Sequence, residues 1–192
     1  MQPIGITEKK LIAEIINLGY KRAANSFSSL TGQNISIENA DFDLCTDHNY
    51  LIENFGHLKD LTVVQTDVVG QLDGAGYLIF NAEERRVISN MSLVAFASST
   101  SLEETIILKE IDNIISASVI TELSNALNIR IHGDVPRLFQ VDNIREFHNA
   151  IREGNDDYYF LARSNFIFEN HGMISPVFIW KMDKKLLSMI NK

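Results

Sequence analysis

Apolar residues in the first thirty positions fall at Leu11, Ile12, Ile15, Ile16, Gly19, Ala23, Phe27 and Leu30, the three-and-four spacing of one helix face. Thr7 stands where a cap would be, Glu8 puts a negative charge in the first turn, and Gly32 offers a stop. NISIENADFDL then alternates polar and apolar positions like a strand, whereas Cys45–Leu58 is mixed and fits no element. Leu61–Gly70 is rich in β-branched residues and predicts a strand, returning through Tyr77–Phe80 with Asp73-Gly74 as the hairpin turn. NAEERRVISNMSLVAF predicts a helix capped by Asn81.

A small polar stretch, SSTSLEET, marks the midpoint and opens a helix near Ser101. Its stripe is Ile107, Leu108, Ile111, Ile114, Ile115, Ala117, Val119, Leu123 and Leu127. IRIHGDVPRL predicts a short strand ending before Pro136, and DNIREFHNAIREG a helix closed by Gly154. DDYYFLARSNFIFE and SPVFIWKM are strands joined across ENHGM, and DKKLLSMINK is a closing helix.

The chain repeats itself. Shifting it by 96 residues lays Glu14 on Glu110, Ile15 on Ile111, Asn17 on Asn113, Ser28 on Ser124 and Ile35 on Ile131. One domain built from half-repeats over 7–97 and 101–192 follows, packed about a pseudo-two-fold axis that gives equivalent helices equivalent surfaces. At 192 residues such a domain buries a substantial core, about 70% of its unfolded surface.

A net charge of −8 without a basic cluster disfavours nucleic acid, since phosphate backbones attract grouped Lys and Arg. No apolar run approaches the ~20 residues that span a bilayer, and the N-terminus lacks a signal-peptide pattern, so the cytoplasm is expected. Cys45 is the sole cysteine, so no internal disulfide forms, and it reads as a packed structural thiol. The five histidines, His48, His57, His132, His148 and His171, lack ligand spacing. Gly74–Gly76 suggests a phosphate loop only until the missing third glycine and helix are noticed.

On the first helix Lys10, Glu14, Asn17 and Lys21 make a polar strip; on the later one the equivalent strip is Ile106, Glu110, Asn113 and Ala117. A solvated face is the ordinary reading of one Glu-x-x-Asn. Asn, however, costs some tenths of a kcal/mol inside a helix, and two in equivalent places ask for a reason.

These residues resemble the signature of the CheC-type chemotaxis phosphatases, the family that includes CheX and FliY. That signature is an acidic residue or serine, three residues, Glu, two residues, Asn, twenty-two residues, then Pro; here Glu110, Asn113 and Pro136 keep the spacing. VVGQLDGAGYLIF is similar to the family's central strand pair and SPVFIWKMDKKLLSMI to its last strand and helix. The resemblance implies an α+β fold: a CheC-like pseudo-two-fold repeat of two α/β halves, a mostly antiparallel sheet flanked by helices.

It further implies a phosphatase acting on the aspartyl phosphate of a CheY-like receiver domain in chemotaxis. Asn113 and Asn17 would orient water, because a carboxamide accepts and donates hydrogen bonds without titrating. Glu110 and Glu14 would pair with the receiver's lysine and dock it. No cofactor is expected on this chain, and the Mg²⁺ would be the receiver's. Several positions depart from the pattern: Lys10 and Ile106 replace the acidic residue or serine, Ala40 replaces the first Pro, and Ile16 and Asp112 replace a Gly. Bulk at Tyr20 beside Asn17 makes Glu110/Asn113 the better site. A non-catalytic module that binds a receiver domain or a CheD-like partner is the alternative, and a pure scaffold is the third reading.

Overall fold

The computed structural model describes residues 5–31, 34–45, 49–95, 101–151, 158–168 and 172–190. The first half runs α1 (Ile6–Thr31), β1 (Ile35–Cys45), α2 (Asn49–Phe55), β2 (Lys59–Gly70), β3 (Gly74–Phe80) and α3 (Ala82–Ala95). The second runs α4 (Ser101–Leu127), β4 (Ile131–Gly133), β5 (Arg137–Asn143), α5 (Ile144–Ile151), β6 (Tyr158–Phe168), β7 (Gly172–Ile174), β8 (Val177–Met182) and α6 (Lys185–Ile190).

All strands join one antiparallel sheet in the order β1-β6-β8-β3-β2-β4, with β5 also on β2 and β7 on β6. The order shows the repeat. β3 and β8 pair at the centre, Tyr77 opposite Ile179. Each half then sends its first strand to the other: β1 of the first half lies on β6, while β4 and β5 of the second lie on β2.

Alternation along β2 divides two cores. Val64 and Val68 face a layer that includes Ile12, Ile16 and Phe27 of α1, Ile88 of α3, Leu108, Ile115 and Val119 of α4, and Leu186 of α6. Leu61 and Val63 face the opposite layer, with Leu51 and Phe55 of α2 and Phe147 and Ile151 of α5. The molecule is thus an α+β, three-layered fold with its two longest helices side by side on one sheet face.

Helix ends explain the registers. Asn81 Oδ1 accepts from Glu84 N at 3.0 Å while Glu84 Oε2 accepts from Asn81 N at 2.9 Å, a reciprocal capping box. The anticipated cap at Thr7 is instead inside α1, whose first bond runs from Lys9 N to Gly5 O at 3.2 Å. α4 ends at Asn128, in the left-handed region at φ 52°, where Asn is tolerated. The repeated serines close both long helices onto the next segment: Ser28 Oγ donates to Ile35 O at 3.2 Å, and Ser124 Oγ to Ile129 O at 2.6 Å.

Three local expectations change. Cys45–Leu58 contains α2, a helix too short to show a periodic stripe. The β2–β3 turn is wider than Asp73-Gly74: Val68 pairs with Gly74, and Gly70 carries the positive φ of 129°. β5 is an added strand, separated from β4 by Pro136, which lacks the N–H a ladder needs. Its equivalent, Ala40, marks a register slip in β1 between Asn39 and Asp41. Gly74 and Gly76 lie in β3, a strand rather than a phosphate loop. Gly32 and Gly154 lie outside the described residues, as do the structural details of the Cys45 side chain.

α1 and α4 meet backbone to backbone. A Cβ on Gly19 would lie 2.7 Å from Val119 Cα and 3.0 Å from its N. The repeat offset carries this pair onto Ile115 and Ala23, both fully buried. Gly19→Ala is therefore expected to destabilise the fold by about 1–3 kcal/mol through overpacking, despite a helix-propensity gain of ~1 kcal/mol. Urea denaturation reads this; an unchanged or raised midpoint would show that the helices have room to part.

Candidate functional site

The inward face of α4 is set by Leu108, Asp112, Ile115 and Val119, all buried and spaced four, three and four residues apart. That fixes the opposite face. Ile106, Glu110, Asn113 and Ala117 are all exposed on it. Glu110 and Asn113 sit about 4.5 Å apart along the axis, one above the other. On α1, Ile12, Ile15, Ile16 and Ala23 turn inward, leaving Lys10, Glu14 and Lys21 exposed and Asn17 half-buried.

The polar pairs have apolar company. Ile106 is 58% exposed ahead of Glu110, and Leu18 is 53% exposed beside Asn17, with Leu11 and Ile6 further along α1. Large exposed apolar side chains gathered around charged and amide groups suit a protein contact surface. Arg22 of α1 bonds Glu122 of α4 at 2.9 Å, tying the two helices to each other away from the strips.

The structure brings all four anticipated residues to the outer surface of the α1/α4 layer, as two separate pairs on two helices. It also corrects one inference about the first pair. Tyr20 does not crowd Asn17: its ring is buried, 5.0 Å from Phe178, while Gly19 lies under Val119. The half-burial of Asn17 distinguishes it from the exposed Asn113.

Among the described residues, no three His, Cys, Asp or Glu side chains gather as a metal site. His57 and His132 are exposed and His148 is buried in the α5 layer, while His48 and His171 lie outside the described residues. No described helix is long and apolar enough to cross a membrane.

No family model and no curated protein matches the sequence. Solved structures do match the fold. FliY from Thermotoga maritima superposes with a TM-score of 0.77 at 17% identity, covering 99% of this chain and 97% of that one. CheX from Desulfovibrio desulfuricans gives 0.58 at 15% identity over 88% and 99% of the two chains. A chain of the FliG–FliM complex from H. pylori gives 0.69 at 12% identity over 96% and 100%. The chain has the CheC/FliY-like fold.

Directly beneath the exposed pair, sequence reasoning passed over Asp112 except as a departure from a motif. It is 1% exposed; Thr66 Oγ1 donates to its Oδ2 at 2.6 Å, and Ser116 Oγ to its Oδ1 at 3.3 Å. The signal was present in the spacing, because an acidic residue occupies an inward position of an otherwise apolar stripe. Burial raises its carboxyl to about 7, the two hydroxyl donors only partly opposing this. A carboxyl raised on folding favours the folded state most when protonated. Its contribution is fully present below about pH 4 and is lost as pH rises towards the folded value. Asp112→Asn, which stays neutral, should match wild type near pH 4 and gain on the order of a few kcal/mol by pH 8. Thermal melting across that range reads the difference; parallel curves would refute the protonation change.

Proposed function

We propose that the outer face of α1 and α4 docks a phosphorylated receiver domain of the CheY kind and hydrolyses its aspartyl phosphate. The observation that carries the reading is the placing of Glu110 and Asn113: both exposed, one helical turn apart, and flanked by the exposed Ile106. Likeness in fold to CheX and FliY supports it, as does the spacing from Asn113 to Pro136.

An acyl phosphate is already activated, so the phosphatase has mainly to align a water with the leaving oxygen. The carbonyl of the Asn113 amide accepts one water O–H and directs a lone pair at phosphorus. Water's oxygen forms the new P–O bond as the bond to the aspartyl oxygen breaks. The products are inorganic phosphate and the receiver's free carboxylate, with a proton lost from the water. Glu110 pairs with the receiver's lysine and holds the helix in register. Any Mg²⁺ is the receiver's own. The Glu14/Asn17 pair is a second station, with Asn17 less open to a visitor.

A second reading is docking without hydrolysis. The exposed Ile106, standing where the catalytic signature has an acidic residue or serine, favours it, as does the likeness to a chain of the FliG–FliM complex. The partner would then be a receiver domain, a CheD-like protein or a switch component.

Phosphate release from a phosphorylated receiver domain tests the proposal. Wild-type protein should accelerate it, Asn113→Ala should remove about a hundredfold of the acceleration, and Asn17→Ala should cost less. An unaffected rate in Asn113→Ala would exclude the assigned role. Complex formation with a receiver carrying an acyl-phosphate mimic, without any acceleration, would select the docking module.

A further inference from the structure

The receiver-docking reading leaves unused an open cleft of ≈ 380 Å³ at the N-terminal end of α4. Its polar walls are Thr62 of β2, Arg85 of α3, Glu104 and Thr105 of α4, and Gln140 of β5; Leu108 and Leu138 supply the apolar ones. Strand geometry makes part of this arrangement inevitable. Thr62 and Gln140 are directly opposed in the β2–β5 ladder, so their side chains rise from the same sheet face.

Two polar atoms of the cleft's residues are buried with no hydrogen-bond partner, Thr62 Oγ1 and Arg85 Nε. Thr62 is only 2% exposed. Leaving such a group unsatisfied costs about 1–3 kcal/mol, so a partner at this place is worth having. Arg85 is only partly committed: its Nη2 bonds Asp60 Oδ2 at 2.9 Å, and that carboxylate is 69% exposed. A pair so open to water is weak.

The charges decide the ligand. A guanidinium Nε–H and a hydroxyl that lack partners call for an anionic oxygen. Glu104 in the same cleft disfavours a purely anionic guest, just as Arg85 disfavours a purely cationic one. The volume falls near the lower end for small-molecule sites, and the leucine walls accept a short hydrocarbon chain.

We propose that this cleft binds a small zwitterion of the amino-acid type, its carboxylate held by Arg85 and Thr62 and its ammonium by Glu104. Thr105 and Gln140 border the polar side, and Leu108 and Leu138 receive the ligand's carbon chain. None of these residues belongs to the Glu/Asn strips, so the site stands whether or not the chain hydrolyses phosphate.

Calorimetric titration of the full chain tests this with the free amino acids and, for each, a matched alkyl carboxylate lacking the amine and an alkylamine lacking the carboxylate. At least one amino acid should bind once per chain at millimolar concentration or below, ahead of both matched compounds. Thr62→Val should weaken that binding about tenfold or more without lowering the melting temperature, since it deletes an unpaired hydroxyl. Glu104→Gln, at a partly exposed position, should abolish the preference over the carboxylate. Absence of binding by any amino acid, equal binding of the matched carboxylate, or wild-type affinity in both variants would overturn the proposal.

Discussion

The close approach of two helix backbones at Gly19 governs what the rest of the molecule can offer. With no side chain there, α1 settles against Val119 of α4, and both helices press their apolar stripes onto the same sheet face. Sides and undersides are thereby used up. Along the middle of both helices the outer strip is what stays open to a visitor, and in both copies it carries the Glu-x-x-Asn pair. The outward placing of these pairs is a consequence of packing elsewhere, which is why an asparagine, poorly suited to a helix interior, can be kept on each helix.

The halves are alike where the fold needs likeness and differ where it does not. Ser28 and Ser124 both tie a helix end to the segment that follows, and Ala40 and Pro136 both mark an interruption in the edge strand. Ile16 and Asp112 occupy equivalent inward positions, yet one is a hydrocarbon and the other a carboxyl bonded by Thr66 and Ser116. A buried carboxyl tolerated on one helix only makes the second half electrostatically distinct, although its outline is preserved.

Most of the architecture was legible in the order of residues, because long helices and paired strands advertise themselves through periodicity. The two long stripes, the Asn81 cap, the β2–β3 pairing and the terminal strand and helix all follow from local pattern. α2 was not legible: seven residues hold too little of a stripe to be told from a loop. β5 was hidden because Arg137–Asn143 is edge-like and leans on β2 for its identity. At the candidate site, the orientation of Glu110 and Asn113 came directly from spacing. The cleft between Thr62, Arg85 and Glu104 could not, since it joins residues from distant parts of the chain whose proximity exists only after the sheet has closed.

That closure has a further consequence in the exchange of outer strands. β1 finishes the sheet of the later half and β4–β5 that of the earlier, so each half is completed by a piece of its counterpart. Parting them would strip the β1–β6 and β2–β5 ladders as well as the β3–β8 seam, leaving rows of amides and carbonyls without mates. The duplication is consequently interlocked like clasped hands, and a displacement imposed on either long helix is borne by a framework to which both copies contribute.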